Sequence, residues 1–216
     1  MERPLSLAAF SRTQAMLMLG GVGAVVVTGA PWPVALLGAL SFTAFLFRRK
    51  ERSSAPNAVT ACRIILAAAL GTVLHRGSPP LAASVAGVAF LLDGLDGWLA
   101  RRLGLSSDFG AHFDMEADAF LVLVVELELF SRGMGAWILI TGILRYAYVL
   151  TLWIAPGRGE MPRSPLGRYA FAALMIGLCA ALGAPGPAGT AAAVAGTAAV
   201  TLSFARSWVF TYAHRA

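Results

Sequence analysis

The sequence predicts an all-α protein of the polytopic membrane class, and three observations support that prediction. The chain of 216 residues is 58% hydrophobic and 13% charged, whereas a soluble domain is about 45–50% apolar and about 25% charged. Its apolar runs have roughly the length of a bilayer-crossing helix, about 20 residues. Turn-forming residues separate the runs, and basic residues are concentrated in alternate breaks.

Eight apolar segments follow one another, and each is predicted to form one helix. They cover approximately residues 13–29, 32–47, 57–75, 80–102, 109–131, 134–155, 165–183 and 188–212. The first is predicted to be a retained helix rather than a cleaved signal peptide, because its removal would conflict with the basic loop after the second segment. Cys62 and Cys179 lack zinc-type spacing and are predicted to be small buried residues.

Basic residues predict the orientation of the chain in the membrane. Those on one side are Arg3, Arg12, Arg48, Arg49, Lys50, Arg52, Arg101, Arg102, Arg158, Arg163 and Arg215. The opposite loops carry only Arg76 and Arg132. Because Lys and Arg accumulate in cytoplasmic loops, both termini are predicted to be cytoplasmic in the inner membrane. The positive charges lie between apolar runs, which does not favour a nucleic-acid partner.

The stretch "DGLDGWLARRLGLSSDFGAHFDMEAD", residues 93–118, concentrates acids between two apolar segments. Eight of the eleven acids in the chain lie between Asp93 and Glu128. Helical spacing places Asp93 and Asp96 on one face of the fourth segment, and Asp114 and Asp118 on one stripe of the fifth. Counting about 1.5 Å per residue from the cytoplasmic ends puts these carboxylates at one depth.

Four carboxylates facing one another predict a site for divalent cations. An oxygen-only ligand set suits Mg²⁺, Mn²⁺ or Ca²⁺, and two-metal sites of this kind serve phosphoryl chemistry. The small residues Gly97, Ala100 and Gly110 leave room on the same face for a bulky ligand. Arg101 offers a planar donor fork suited to phosphate.

The order of these residues resembles the signature of the CDP-alcohol phosphotransferases. It reads Asp93-x2-Asp96-Gly97-x2-Ala100-Arg101-x8-Gly110-x3-Asp114-x3-Asp118. The stretch "PNAVTACR", residues 56–63, also resembles the start of the first core helix of that family. The resemblance implies a six-helix catalytic core over residues 56–216, preceded by an N-terminal transmembrane hairpin and basic linker over residues 1–55.

The resemblance also implies the reaction and the roles of the site residues. A phosphatidyl-type group would pass from a CDP-linked lipid such as CDP-diacylglycerol to an alcohol, with release of CMP. Two cations, Mg²⁺ or Mn²⁺, would be held by Asp93, Asp96 and Asp114 and by Asp93, Asp114 and Asp118, with Asp118 as general base. Residues expected at the CDP-lipid are Gly97, Ala100, Arg101 and Gly110, with Ser107, Asn57 and Thr60 as weaker candidates. A homodimer is a further expectation.

The acceptor alcohol is less defined by the sequence. Arg145 lies inside the sixth segment, about 16 Å from its cytoplasmic end, and a buried arginine at that depth needs an anion. With Arg168 and Arg206, it suggests an acceptor that carries phosphate, such as glycerol 3-phosphate or inositol phosphate. The alternative for Arg145 is a pair with a structural carboxylate, and the alternative acceptor is an uncharged or amino alcohol such as serine.

The remaining acids are predicted to lie outside the site. Glu116 points away from the aspartate stripe, and Glu126 and Glu128 lie toward the opposite membrane face, so interhelical pairing is expected for all three. Asp108 is predicted to cap the fifth segment, and an N-cap is the alternative role for Asn57. Two other function classes remain open, namely an intramembrane cation transporter and an inactive scaffold.

Small residues are concentrated in the first and last segments. The stretches "GGVGAVVVTGA", residues 20–30, and "AGTAAAVAGTAAV", residues 188–200, offer faces that allow helices to approach closely. Packing within the chain is the expected use of these faces, and a dimer interface is the alternative.

Overall fold

The computed structural model describes residues 7–47, 54–156 and 165–212. Within these ranges the fold is entirely helical, which confirms the predicted class. The long helices are α1 (Leu7–Thr28), α2 (Trp32–Phe47), α3 (Ala55–Gly71), α4 (Pro79–Leu103), α5 (Asp108–Leu129), α6 (Ile140–Ile154), α7 (Pro165–Gly183) and α8 (Pro187–Tyr212). The basic residues predicted between α2 and α3 and between α6 and α7 lie outside the described residues.

Helix α1 begins at Leu7 rather than near residue 13 as predicted. Its first turns contain the polar residues Ser11 and Gln14, both of which are buried against the rest of the bundle. Ser11 hydrogen-bonds to side chains of α5, and Gln14 accepts from Ser41 of α2. Because polar partners are available inside the protein, the helix continues where hydropathy predicted a break.

Serine residues cap the helices that carry the site. Ser54 accepts a hydrogen bond from the backbone N–H of Asn57 at 3.4 Å, and Ser107 accepts from that of Gly110 at 3.0 Å. The predicted capping role of Asp108 was therefore wrong, since Asp108 is the first residue of α5 and Ser107 is its N-cap. Likewise Asn57 does not cap α3 and is instead buried.

Helix α5 is the central element of the bundle. From Ala119 to Leu129 every side chain is buried. Within the described residues, α5 contacts each of the helices α1, α2, α3, α4, α6 and α7. A short π-helical turn over residues 130–134 ends it, with Gly133 at φ +93° and Gly135 at φ +90°. These left-handed conformations favour glycine and turn the chain back into α6.

The small residues of α8 pack against α7. A Cβ at Gly196 would lie 2.6 Å from the Cα of Leu174, and one at Gly189 would lie 2.8 Å from the Cα of Ala181. In α1, a Cβ at Gly21 would lie 2.8 Å from a methyl group of Val34 in α2. Packing within the chain is thus confirmed as a use of both small-residue faces.

Five helices are long and apolar enough to cross a membrane, as judged over the described residues: Leu7–Thr28, Pro79–Leu103, Ala136–Ile154, Leu166–Gly183 and Pro187–Tyr212. Large apolar side chains are exposed on the outside of the bundle, among them Val27, Val73 and Ile154. A bilayer would cover this surface. Cys62 is also exposed on α3, which corrects its predicted burial.

Candidate active site

The structure brings the four predicted aspartates together where α4 and α5 both pack against α3. Asp93 and Asp96 come from α4, and Asp114 and Asp118 from successive turns of α5. Carboxylate oxygens of Asp93, Asp114 and Asp118 lie within 4.8 Å of one another. Asp96 is 4% exposed, whereas the other three are partly open. Helical periodicity therefore predicted this convergence correctly.

One residue at the centre of the cluster was missed by the sequence analysis. Arg63 of α3 is 1% exposed, and its Nη1 lies 3.3 Å from Asp93, 3.0 Å from Asp96 and 2.5 Å from Asp114. Its Nη2 pairs with Asp118. The signal was present in the sequence, because an arginine inside an apolar segment needs an anionic partner.

The guanidinium and the buried aspartate are held by further hydrogen bonds. Arg63 donates through Nε to the backbone carbonyl of Ala89 at 3.1 Å, which anchors it to α4. Thr60, one turn earlier on α3, donates to Oδ2 of Asp96 at 3.0 Å. The three helices α3, α4 and α5 thus fix the positions of the acids relative to one another.

A first cavity of about 280 Å³ opens beside the cluster, between α3, α4, α5 and the loop that joins α4 to α5. Its wall includes every residue predicted to border the CDP-lipid: Asn57, Thr60, Gly97, Ala100, Arg101, Ser107 and Gly110. Asp96 and Asp114 of the aspartate cluster also line it. A Cβ at Gly110 would lie 3.3 Å from Oδ1 of Asn57, so a larger residue at this position would crowd the wall of the cavity.

A second cavity of about 240 Å³ lies beside Asp118, between α5, α6, α7 and α8. Most of its wall is apolar, with contributions from Val122, Phe171 and Phe204. Arg145 lines it and is the one basic residue among the described side chains that do so. Arg168 and Arg206, the other predicted acceptor residues, are exposed and lie outside the described linings of both cavities. Their role stays a prediction.

A profile of the CDP-alcohol phosphatidyltransferase family matches residues 53–210. The chain belongs to this family. A curated relative is the CDP-diacylglycerol–glycerol-3-phosphate 3-phosphatidyltransferase of Pseudomonas fluorescens, with 36% identity over 86 residues. The match covers 38% of this chain and 44% of that relative. No solved structure matches the chain.

The aspartate cluster has a ligand set that fits divalent cations. Four carboxylates and the single charge of Arg63 leave an excess of negative charge in a partly buried place, which cations would relieve. Oδ1 of Asp96 is buried with no hydrogen-bond partner. Such an unsatisfied oxygen is costly unless a ligand binds it, and an all-oxygen donor set suits Mg²⁺ or Mn²⁺.

The three glutamates of α5 lie apart from this cluster and bind groups on other elements, as predicted. Glu126 accepts from the hydroxyl of Thr141 and from the backbone N–H of Gly142 at 2.9 Å. Glu128 pairs with His75 at 2.7 Å and Arg132 at 2.8 Å, near the end of the bundle opposite the aspartates.

Arg145 has the carboxylate partner that the sequence left as one of two alternative roles. Its part in acceptor binding stays a prediction. Its Nη2 lies 2.9 Å from Oε1 of Glu116, which is completely buried. The arginine therefore has a structural carboxylate partner. Arg145 also lines the second cavity, as Asp118 does. The ion pair with Glu116 therefore does not take Arg145 away from that cavity.

Proposed function

We propose that this protein transfers a phosphatidyl group from CDP-diacylglycerol to an alcohol that carries phosphate, and releases CMP. Glycerol 3-phosphate is the preferred acceptor. The observation that carries the proposal is the position of the aspartate cluster between two cavities. Asp96 and Asp114 line the first cavity, and Asp118 lines the second. A donor and an acceptor on either side of the acids would meet at the cluster.

The first cavity suits the cytidine diphosphate part of the donor. Gly97, Ala100 and Gly110 leave the backbone accessible, and Arg101 brings a cation to the same wall. Guanidinium groups bind phosphate oxygens through paired hydrogen bonds. The amide of Asn57 and the hydroxyl of Ser107 add polar groups suited to a base or ribose. The lipid chains of the donor would remain in the bilayer around the helices.

The aspartates would carry the chemistry. Two bound cations would neutralise the diphosphate and stabilise the departing CMP. Asp93, Asp96 and Asp114 would hold one cation, and Asp93, Asp114 and Asp118 the other. A carboxylate oxygen of Asp118 would take the proton of the acceptor hydroxyl. The acceptor oxygen then bonds to the lipid-bearing phosphorus as the bond from that phosphorus to CMP breaks.

Arg145 supports an anionic acceptor. It brings a guanidinium to a cavity that is otherwise mainly apolar and that includes Asp118. The name of the Pseudomonas fluorescens relative specifies glycerol 3-phosphate as the acceptor of that enzyme. Arg168 and Arg206, both exposed, would attract the same anion from solution. Inositol phosphate and serine are the alternative acceptors.

A cation transporter is the competing class, and the site disfavours it. Within the described residues the four aspartates form one compact cluster, and the guanidinium of Arg63 lies among them. A fixed positive charge at that place opposes the passage of cations. The distribution of basic residues supports a site that opens toward the cytoplasm, with the enzyme in the inner membrane. We also propose that the protein forms a homodimer.

The proposal is tested with purified protein in detergent. CDP-diacylglycerol and Mg²⁺ would be supplied with glycerol 3-phosphate, inositol phosphate or serine in separate reactions, and CMP release would be followed. Fastest release with glycerol 3-phosphate is expected. Preference for serine would overturn the anionic acceptor, and no release with any acceptor would overturn the transferase activity itself.

A further inference from the structure

The N-terminal hairpin, α1 and α2, lies outside the residues that match the family, yet it is anchored to the core. Phe42 and Phe45 of α2 pack against Phe113 and Phe109 of α5, with ring centroids 5.7 and 5.5 Å apart. The ring of Phe10 in α1 stacks on that of Phe45 at 3.7 Å. This aromatic contact fixes α1 against the helix that carries Asp114 and Asp118.

The anchored helix places one hydroxyl next to the carboxylate that holds Arg145. Ser11 is 6% exposed and donates to Oε1 of Glu116 at 2.7 Å. The same glutamate oxygen accepts from Nη2 of Arg145 at 2.9 Å. The Ser11 oxygen also lies 2.7 Å from Nε2 of His112, one turn before Glu116. A continuous polar path thus links α1, α5 and α6.

Arg145, at the end of this path, lies between two cavities. A third cavity, of about 620 Å³, lies on the α1 side of α5, and Arg145 and Met115 line both it and the second cavity. The long side chain of an arginine has several rotamers available at such a boundary. Its orientation toward the space beside Asp118 therefore depends on the position of Glu116.

We infer that Ser11 and Glu116 are positioning residues for Arg145, and that the N-terminal hairpin thereby sets the affinity of this enzyme for its phosphate-bearing acceptor. This inference rests on the proposed function of Arg145. The hydrogen bond from Ser11 fixes the carboxylate, and the carboxylate fixes the guanidinium. Neither Ser11 nor Glu116 lines the second cavity, so both act through the arginine.

The effect should be specific to one substrate. Ser11 and Glu116 lie outside the described lining of the first cavity, so donor binding should be preserved when they are changed. A poorly positioned Arg145 would bind the acceptor phosphate more weakly. Because the effect reaches the acceptor through a second residue, only part of the hydrogen-bond energy is lost, and the acceptor KM should rise by roughly three- to tenfold.

The experiment compares Ser11→Ala with Thr13→Ala by steady-state CMP release. Thr13 is exposed on the same helix, and its hydroxyl donates to the carbonyl of Ala9 in the preceding turn of α1. We expect Ser11→Ala to raise the KM for glycerol 3-phosphate three- to tenfold, with kcat and the donor KM within twofold of wild type. Thr13→Ala should match wild type. Glu116→Gln should raise the acceptor KM further, and Ser11→Thr should restore it.

An unchanged acceptor KM in Ser11→Ala, or an equal rise in both KM values, would overturn the inference. Arg145→Ala separates this failure from failure of the proposed function. If Arg145→Ala raises the acceptor KM and Ser11→Ala does not, only the role of the hairpin is wrong. If Arg145→Ala leaves that KM unchanged, or wild type releases no CMP, the acceptor assignment and the inference are both wrong.

Discussion

The guanidinium of Arg63 lies 3.0 Å from the carboxylate of Asp96, and both side chains are buried between α3, α4 and α5. The same guanidinium contacts Asp93, Asp114 and Asp118. The guanidinium of Arg63 is thus the shared counterion of these four carboxylates. This arrangement explains how the cluster can remain assembled without a bound metal ion, because like charges at this separation would otherwise repel.

Replacement of Arg63 by glutamine should make folding depend on divalent cations. Breaking a buried ion pair from one side costs about 3–5 kcal/mol, and here four carboxylates lose their counterion. We expect a lower melting temperature in chelator and a larger rise on addition of Mg²⁺ than wild type shows, measured by a thermal unfolding assay in detergent.

Arg132→Gln is the matched control for this prediction. Arg132 pairs with Glu128 at the opposite end of the bundle, 2.8 Å away. Its loss should lower the melting temperature equally with and without Mg²⁺. Equal responses of the two variants to Mg²⁺ would show that Arg63 is an ordinary structural ion pair.

Gly97→Ala should weaken donor binding without weakening the fold. A Cβ at Gly97 would lie 3.3 Å from Nη1 of Arg101, on the wall of the first cavity. Alanine in a helix is otherwise more stable than glycine by roughly 0.5–1 kcal/mol. The KM for CDP-diacylglycerol should therefore rise several-fold while the melting temperature is maintained. Gly94→Ala, on the same helix with no atom within 4 Å of the added Cβ, should leave that KM unchanged, and a similar rise there would argue against the assignment.

Asp118→Asn should remove most of the activity from a folded protein. Loss of a general base lowers kcat by about 10²–10⁴-fold, and the loss of a carboxylate ligand adds to the effect. CMP release under saturating donor and acceptor is the measurement. Asp108→Asn, at the exposed start of α5, provides a control of the same chemistry. Full turnover by Asp118→Asn would show that another group accepts the proton.

Gly196→Ala should destabilise the pairing of α7 and α8. The added Cβ would lie 2.6 Å from the Cα of Leu174, and backbone atoms cannot move aside as a side chain can. Overpacking of this kind costs about 1–3 kcal/mol, so a decrease of several degrees in melting temperature is expected. Gly23→Ala in α1, where the Cβ meets no atom within 4 Å, should not decrease it. Equal behaviour of both variants would contradict the tight contact.

Periodicity predicted the features that depend on one helix at a time. Each of the eight apolar runs corresponds to one long helix within the described part of the chain, and the four aspartates lie close together as their spacing required. The α4 part of the first cavity's wall followed from the same stripe, because Gly97, Ala100 and Arg101 share the face of Asp96, whereas Asn57, Thr60 and Ser107 were expected there only from the family resemblance. Spacing along a helix determines which residues share a face, so these positions could be predicted without knowing how the helices pack.

Contacts between distant helices could not be predicted in the same way. The sequence shows that Arg63 and Arg145 need anions, but not that one would meet the aspartates of two helices and the other Glu116. The contact of Ser11 with Glu116 joins residues 105 positions apart. No spacing rule reaches across that separation. The capping error at Asp108 was local, since Ser107 and Asp108 are both suitable N-caps.

The most direct test of the account is CMP release from CDP-diacylglycerol and glycerol 3-phosphate, with divalent cations first chelated and then restored. The account predicts no release in chelator, recovery with Mg²⁺ or Mn²⁺, and no recovery in Asp114→Asn, whose carboxylate would belong to both cation sites. Release that persists in chelator, or full recovery in Asp114→Asn, would contradict the claim that the aspartate cluster is a cation-dependent phosphatidyl transfer centre.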